Sequence, residues 1–249
     1  MEAIDSGKIK LEDMVVISEY AASMGGSQVY LEANEQMSVH ELLKALIIVS
    51  ANDATLALAE HIYGSEESFL IAMNERAKLL GMDNTNFVNT NGLPAENHYS
   101  SAEDVAIMTR ELLKFPLVFE YSTIWMDTIR NGSFGLANTN KLIRFYKGAN
   151  GMKTGFTDEA MFCLSGTAIR DGMQLISVVL GASTSQERFS TVKKMLDFGF
   201  ANYSLVTPEK LSLEPVDIIK GVKETASIDY TPASLLLEKG TKSSIEQTA

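Results

Sequence analysis

The chain has 249 residues, of which 45% are apolar, enough to fill a sizeable core; disorder and a minimal disulfide scaffold are excluded. Its 21 basic residues against 32 acidic ones leave a net charge of −11, which repels nucleic-acid phosphates and anionic lipid alike. The one cysteine, Cys163, lies in an apolar run between Phe162 and Leu164, which excludes an intrachain disulfide and a cysteine-based zinc site.

The first residues, Met1-Glu2-Ala3-Ile4-Asp5-Ser6, lack the basic start and apolar core of a secretory signal. No apolar run approaches the ~20 residues that span a bilayer. Residues 2–8 read as the end of a helix with Gly7 just beyond it, and residues 14–17 as a short strand. A loop around Gly25-Gly26-Ser27 precedes the first long helices. Ser38-Val-His-Glu41 is a capping box, in which serine and glutamate each satisfy an orphan backbone N–H, opening an apolar helix through Leu42, Leu43, Leu46, Ile47 and Val49. A second apolar helix is expected over 54–62, a third over 66–80 between Ser65 and Gly81, and a fourth from Ser101 to about 114. Residues 84–100 form a polar, turn-rich connection of the kind that borders a cleft. Residues 116–129 fit neither period, and 131–150 suggest loops and short strands.

The pattern then changes to that of a sheet. Residues 151–156, 161–170 and 173–182 read as consecutive strands, the last two joined by Asp171-Gly172, a two-residue hairpin signal. Thr184-Ser-Gln-Glu187 is a second capping box, starting a helix through Phe189, Val192, Met195, Leu196 and Phe200. After Thr207-Pro208 the composition shifts to short alternating segments at 216–219, 226–230 and 235–237, read as strands of a β-rich unit.

Two short motifs stand out. Ser50-Ala51-Asn52 lies where two buried helices meet, and its plain reading is capping: Asn52 or Asp53 starts one helix and Ser50 ends the other. Lys153-Thr154-Gly155-Phe156-Thr157 opens the late sheet; a lysine there ordinarily discourages edge pairing, while the adjacent glycine admits a close-lying backbone or ligand. Taken together, with Ser-x-Asn at an interhelical corner and Lys-Thr-Gly about a hundred residues later on a strand, they resemble the penicillin-binding and β-lactamase superfamily, whose signature set is S-x-x-K, S-D-N and K-T-G. Residues 49–54, 151–157 and 175–182 further resemble the low-molecular-mass penicillin-binding proteins, the serine D-alanyl-D-alanine carboxypeptidases. The likeness runs over 1–208, expected as the penicillin-binding domain lacking its N-terminal part, with 209–249 the beginning of a β-rich C-terminal domain.

The resemblance implies an α+β transpeptidase fold, an antiparallel sheet with a helical subdomain, and acyl-enzyme chemistry on peptidoglycan stem peptides ending in D-Ala-D-Ala, with β-lactams as inhibitors. It implies that Ser50 relays protons to the leaving D-alanine, that Asn52 holds the substrate amide, and that Lys153 supplies positive charge. Thr154 would hydrogen-bond the terminal carboxylate, the strand through Gly155 and Thr157 would lie along the substrate, and the N–H of Phe156 would be one oxyanion donor. Neither metal nor cofactor is implied, and the implied location is the cell envelope outside the cytoplasmic membrane.

The family's Ser-x-x-Lys precedes its Ser-x-Asn, and no such pair occurs before Ser50, so the chain as given is expected to be inactive. Ser190-Thr-Val-Lys193 fits the spacing but follows Lys-Thr-Gly on an amphipathic helix, where the spacing arises from the helix surface alone. Two other readings remain: a non-catalytic peptidoglycan-binding relative, and a class A β-lactamase, whose Glu-x-x-x-Asn spacing is absent. His40, His61 and His98 are scattered without ligand spacing, and no nucleotide-binding glycine motif occurs.

Overall fold

A computed structural model describes residues 1–221 and 225–240. They form two compact units, one of Met1–Ile169 with Gln174–Leu196 and one of Arg170–Met173 with the described residues from Asp197 onward.

The first unit begins with α1 (Glu2–Asp5), β1 (Met14–Val16), the single turn α2 (Glu19–Ala22) and β2 (Gln36–Ser38), with β1 and β2 paired antiparallel. Helix α2 was not expected: four residues are too few for a period, and it exists because the Ser18 side chain accepts from the Ala21 N–H. Helix α3 (Val39–Val49) buries Leu42, Leu43, Ala45 and Ile48, and its Ser38 hydroxyl accepts from the Glu41 N–H. The reciprocal half of this expected capping box is not made. Ser38 is the paired end of β2, and the Glu41 carboxylate accepts instead from the Arg130 N–H at 2.8 Å.

Helix α4 (Asn52–Tyr63) follows after two residues and is the most buried element, with Ala54, Leu56, Ala57, Leu58 and Ala59 in the core. Helix α5 (Glu66–Leu80) runs from the Ser65 cap to Gly81, and α6 (Ala102–Leu112) from the Ser101 cap. The ambiguous stretch after Pro116 splits into α7 (Leu117–Ser122) and β3 (Met126–Ile129), which forms a hairpin with β4 (Phe134–Ala137).

After the short α8 (Leu142–Phe145) comes the sheet, in the order β5 (Ala149–Thr157), β6 (Met161–Arg170), β7 (Met173–Ala182). Asp171 and Gly172 between β6 and β7 both have positive φ, 49° and 76°, as a type I′ hairpin turn requires. Helix α9 (Ser185–Asn202) packs Val192 against Gly166 of β6, where an added Cβ would stand 2.6 Å from Val192 and 2.9 Å from Leu142. Only glycine permits that approach. At the start of α9, Thr184 Oγ1 accepts from the Glu187 N–H as expected, and the Glu187 carboxylate takes the N–H and hydroxyl of Ser183 together with the backbone of Thr184.

In the second unit β8 (Tyr203–Val206), unforeseen in the sequence, pairs antiparallel with β11 (Leu235–Glu238), and β9 (Val216–Asp217) with β10 (Thr225–Ala226). The expected strands at 216–219 and 226–230 are thus two residues each, and the composition shift after Pro208 falls inside this unit. Residues 222–224 and 241–249 of the expected β-rich segment lie outside the described residues. Among the described residues no helix is long and apolar enough to cross a membrane.

Candidate active site

Helix α3 ends on Ser50, whose backbone is left-handed (φ 62°, ψ 39°) and so reverses the chain into α4 within two residues. A serine in that conformation costs roughly 1 kcal/mol relative to glycine, so its hydroxyl is retained at an energetic cost. It meets the sheet directly: Lys153 Nζ on β5 donates to Ser50 Oγ at 2.7 Å and to the Thr154 carbonyl at 2.9 Å. Burial, and then the Arg188 guanidinium, pull the Lys153 pKa down from 10.5 to about 8. At neutral pH the group is therefore still mostly an ammonium, yet poised to give up its proton.

Two further bonds fix α3 against β5. The Thr139 N–H donates to Ile48 at 3.1 Å, and Thr139 Oγ1 lies 2.6 Å from Thr154 Oγ1. Asn140 Nδ2 donates to the Gly151 carbonyl at 2.9 Å and Ser122 Oγ to that of Asn150 at 2.6 Å, holding the start of the same strand.

The other motif residues are placed differently. Asn52 and Asp53 are not caps: Ala51 holds the N-cap position of α4 without a side-chain bond, and both lie inside the first turn. Asn52 Nδ2 donates to the Gly25 carbonyl at 2.8 Å and its N–H to Ser27 at 2.7 Å. Gly26, with φ +79°, passes so close that an added Cβ would lie 2.8 Å from that amide nitrogen. The fully buried Asp53 carboxylate accepts from the N–H groups of Val29, Leu31 and Ala54. Thus Ser50 and Lys153 come together, while Asn52 and Asp53 hold the 25–31 loop against the start of α4. Gly155 and Phe156 are exposed on β5, and Thr157 Oγ1 accepts from Ala160 in the β5–β6 turn. β5 has β6 on one side and no strand on the other among the described residues. Ser190 is exposed on α9, its hydroxyl donating to the Glu187 carbonyl of the same helix.

Arg188 escaped the sequence reading. Its guanidinium donates to the carbonyls of Gly155 and Cys163, both at 3.1 Å, and lies over the rings of Phe162 and Phe189. It is buried, and its Nε finds no hydrogen-bond partner among the described residues. The available signal was helical spacing: Arg188 stands four residues before buried Val192, on the face turned to the sheet. Thr139, in an irregular loop, gave no comparable signal. Among the described residues no three His, Cys, Asp or Glu side chains gather as a metal ion requires.

The family model described as D-alanyl-D-alanine carboxypeptidase matches residues 1–184, nearly three quarters of the chain. The chain belongs to that family. The D-alanyl-D-alanine carboxypeptidase DacF of Bacillus subtilis is 47% identical over 246 residues, which are 96% of this chain and 63% of that protein. DacC of Escherichia coli is 38% identical over 216 residues, 84% of this chain and 54% of its own length. This carboxypeptidase-family chain therefore spans between about half and two thirds of these relatives. Among solved structures, penicillin-binding protein 5 of Haemophilus influenzae superposes with a TM-score of 0.82 at 33% identity, covering 97% of this chain and 72% of that one. Penicillin-binding protein D2 of Listeria monocytogenes, solved with ampicillin bound, gives 0.71 at 33% identity, covering 80% and 81%. The α+β transpeptidase fold expected from Ser-x-Asn and Lys-Thr-Gly is the fold of these carboxypeptidase-family neighbours.

Proposed function

We propose that these residues form the substrate-binding and proton-relay half of a serine-type D-alanyl-D-alanine carboxypeptidase acting on peptidoglycan stem peptides outside the cytoplasmic membrane. Residues 1–208 are assigned to the penicillin-binding domain and 209–249 to the beginning of a β-rich domain. The observation that carries the reading is the 2.7 Å contact from Lys153 to Ser50 beside the edge of β5 that pairs with no strand among the described residues. Because the ammonium donates to Ser50 Oγ, the serine's own proton is free to be donated onward to the nitrogen of the departing D-alanine. Lys153, with a pKa lowered to about 8, can replace that proton. Its charge and the Thr154 hydroxyl face the terminal carboxylate, and the backbone from Gly155 to Thr157 takes the peptide as an added strand, with Phe156 N–H as oxyanion donor. Asn52 holds the substrate amide through its carbonyl oxygen, its NH₂ being engaged by Gly25. The same cleft would receive β-lactams.

No residue between Met1 and Ser50 supplies a Ser-x-x-Lys, so a polypeptide of these 249 residues is expected to bind an N-acyl-D-Ala-D-Ala peptide without being acylated. Calorimetric titration of that peptide tests the binding: Lys153→Met should abolish it, and undiminished affinity refutes the assignment. Incubation with a fluorescent penicillin and denaturing electrophoresis tests the chemistry. A labelled band lost in Ser190→Ala would overturn the exclusion of Ser190.

A further inference from the structure

On the loop held by Asp53, Tyr30 adopts a left-handed backbone, φ +57°, which a bulky side chain rarely takes without cause. The surroundings impose it from both sides. Asp53 accepts from the N–H groups of Val29 and Leu31, and Arg130, at the β3–β4 turn, donates to the carbonyls of Val29 (2.8 Å) and Tyr30 (3.0 Å). Arg130 is fixed in turn by Glu35 through two bonds, of 2.9 and 3.0 Å. This bracing does not serve to bury the tyrosine, which is left 66% exposed. Its ring stands 6.4 Å from that of Phe134, tilted by 59°, and the two form one wall of an open cavity of about 590 Å³. The remaining wall is polar, with Glu32, Asn34, Ser133 and Arg130 supplying donors and acceptors.

A rigid, exposed aromatic face opposite a mixed polar rim suits a flat ligand with one apolar side and hydroxyl or amide groups at its edge. We propose that this cavity binds a pyranose ring of the amino-sugar strand that carries the stem peptide. The proposal rests on the carboxypeptidase reading of the Ser50–Lys153 cleft, and the chain's connectivity supports it. Ser27, bonded to the Asn52 N–H, is three residues from Tyr30, so at most about 11 Å of backbone separates Tyr30 from the Asn52 end of the cleft, a span that three or four residues of extended peptide cover. The Glu35 charge is matched by Arg130, so the rim is not built for a strongly cationic group alone.

The test titrates the 249-residue chain with the peptide-free N-acetylglucosamine trimer and, separately, with an N-acyl-D-Ala-D-Ala peptide, following both by NMR chemical-shift changes. Tyr30→Asn removes the ring and suits the left-handed backbone, so this variant should keep or raise its thermal midpoint. It should weaken trimer binding about tenfold, the loss expected for one buried aromatic contact, and leave peptide binding intact. Tyr30→Phe should restore the trimer response, and Lys153→Met should spare it. An absent trimer response, equal affinity in Tyr30→Asn, or a response only to a quaternary ammonium salt would overturn the proposal. Lys153-dependent peptide binding persisting beside any of these would leave the carboxypeptidase reading standing; sugar binding without peptide binding would do the reverse.

Discussion

Lys153 should make the stability of this chain depend on pH in a direction opposite to that of an ordinary ion-paired lysine. In the fold its pKa is about 8, against 10.5 for the free side chain, because it is buried and faces Arg188. When the folded value is the lower one, the cost of charging the group is fully present while both states are protonated and is relieved as pH rises through 8 towards 10.5. Each pH unit of depression corresponds to about 1.36 kcal/mol, which caps the cost near 3 kcal/mol; partial hydration at the cleft reduces it to about 1–2 kcal/mol. Urea unfolding of the wild type and of Lys153→Met at pH 7, 8, 9 and 10 isolates the effect, since titrations common to both proteins cancel in the difference. The wild type should gain about 1–2 kcal/mol on the variant between pH 7 and 10. A difference that is flat, or that falls with pH, would refute the claim that Lys153 is held in the fold as a desolvated cation.

Asp53→Asn should destabilise the first unit by about 2–4 kcal/mol in urea unfolding, because one carboxylate oxygen becomes an NH₂ facing buried backbone donors; a loss below about 0.5 kcal/mol would show that the loop is held by other means. Gly26→Ala combines a positive φ with a Cβ 2.8 Å from Asn52 Nδ2, so it should cost about 1–2 kcal/mol and shift the Asn52 side-chain amide resonances, whereas an unchanged spectrum would mean that the 25–27 loop yields freely.

What the sequence disclosed follows the range of the interactions involved. Helices α5 and α6 were readable because their caps, Ser65, Gly81 and Ser101, act within one turn. The three-stranded sheet was readable because Asp171-Gly172 adopts the two positive-φ positions of a tight hairpin turn more readily than other residue pairs do. The first capping box was half right for the complementary reason. Glu41 can reach back along its own helix, but Arg130, 89 residues away, offered the better donor. The site divides in the same way. Motif order pointed to Ser50 and Lys153, which the fold places in contact across 103 residues. No local pattern announced that Asn52 and Asp53 would turn to a loop about 25 residues earlier, or that Arg188 would reach the carbonyl of Gly155.

The edge of β5 that pairs with no strand among the described residues has a consequence for how such a site can vary. A ligand that adds itself as a strand is read through N–H and C=O groups, which every residue except proline carries identically. Substitutions of Phe156 or Thr157 then leave most of the recognition vocabulary unaltered, and a mutational scan of these two positions, beyond Lys153 and Thr154, would find them silent except where a proline or a collision intervenes. Methylating amide nitrogens of the ligand would expose what the scan misses. Drift can therefore recolour the side chains at Phe156 and Thr157 while the grammar of binding there stays in the main chain, leaving discrimination between ligands to Lys153, Thr154 and the loops at the strand's ends.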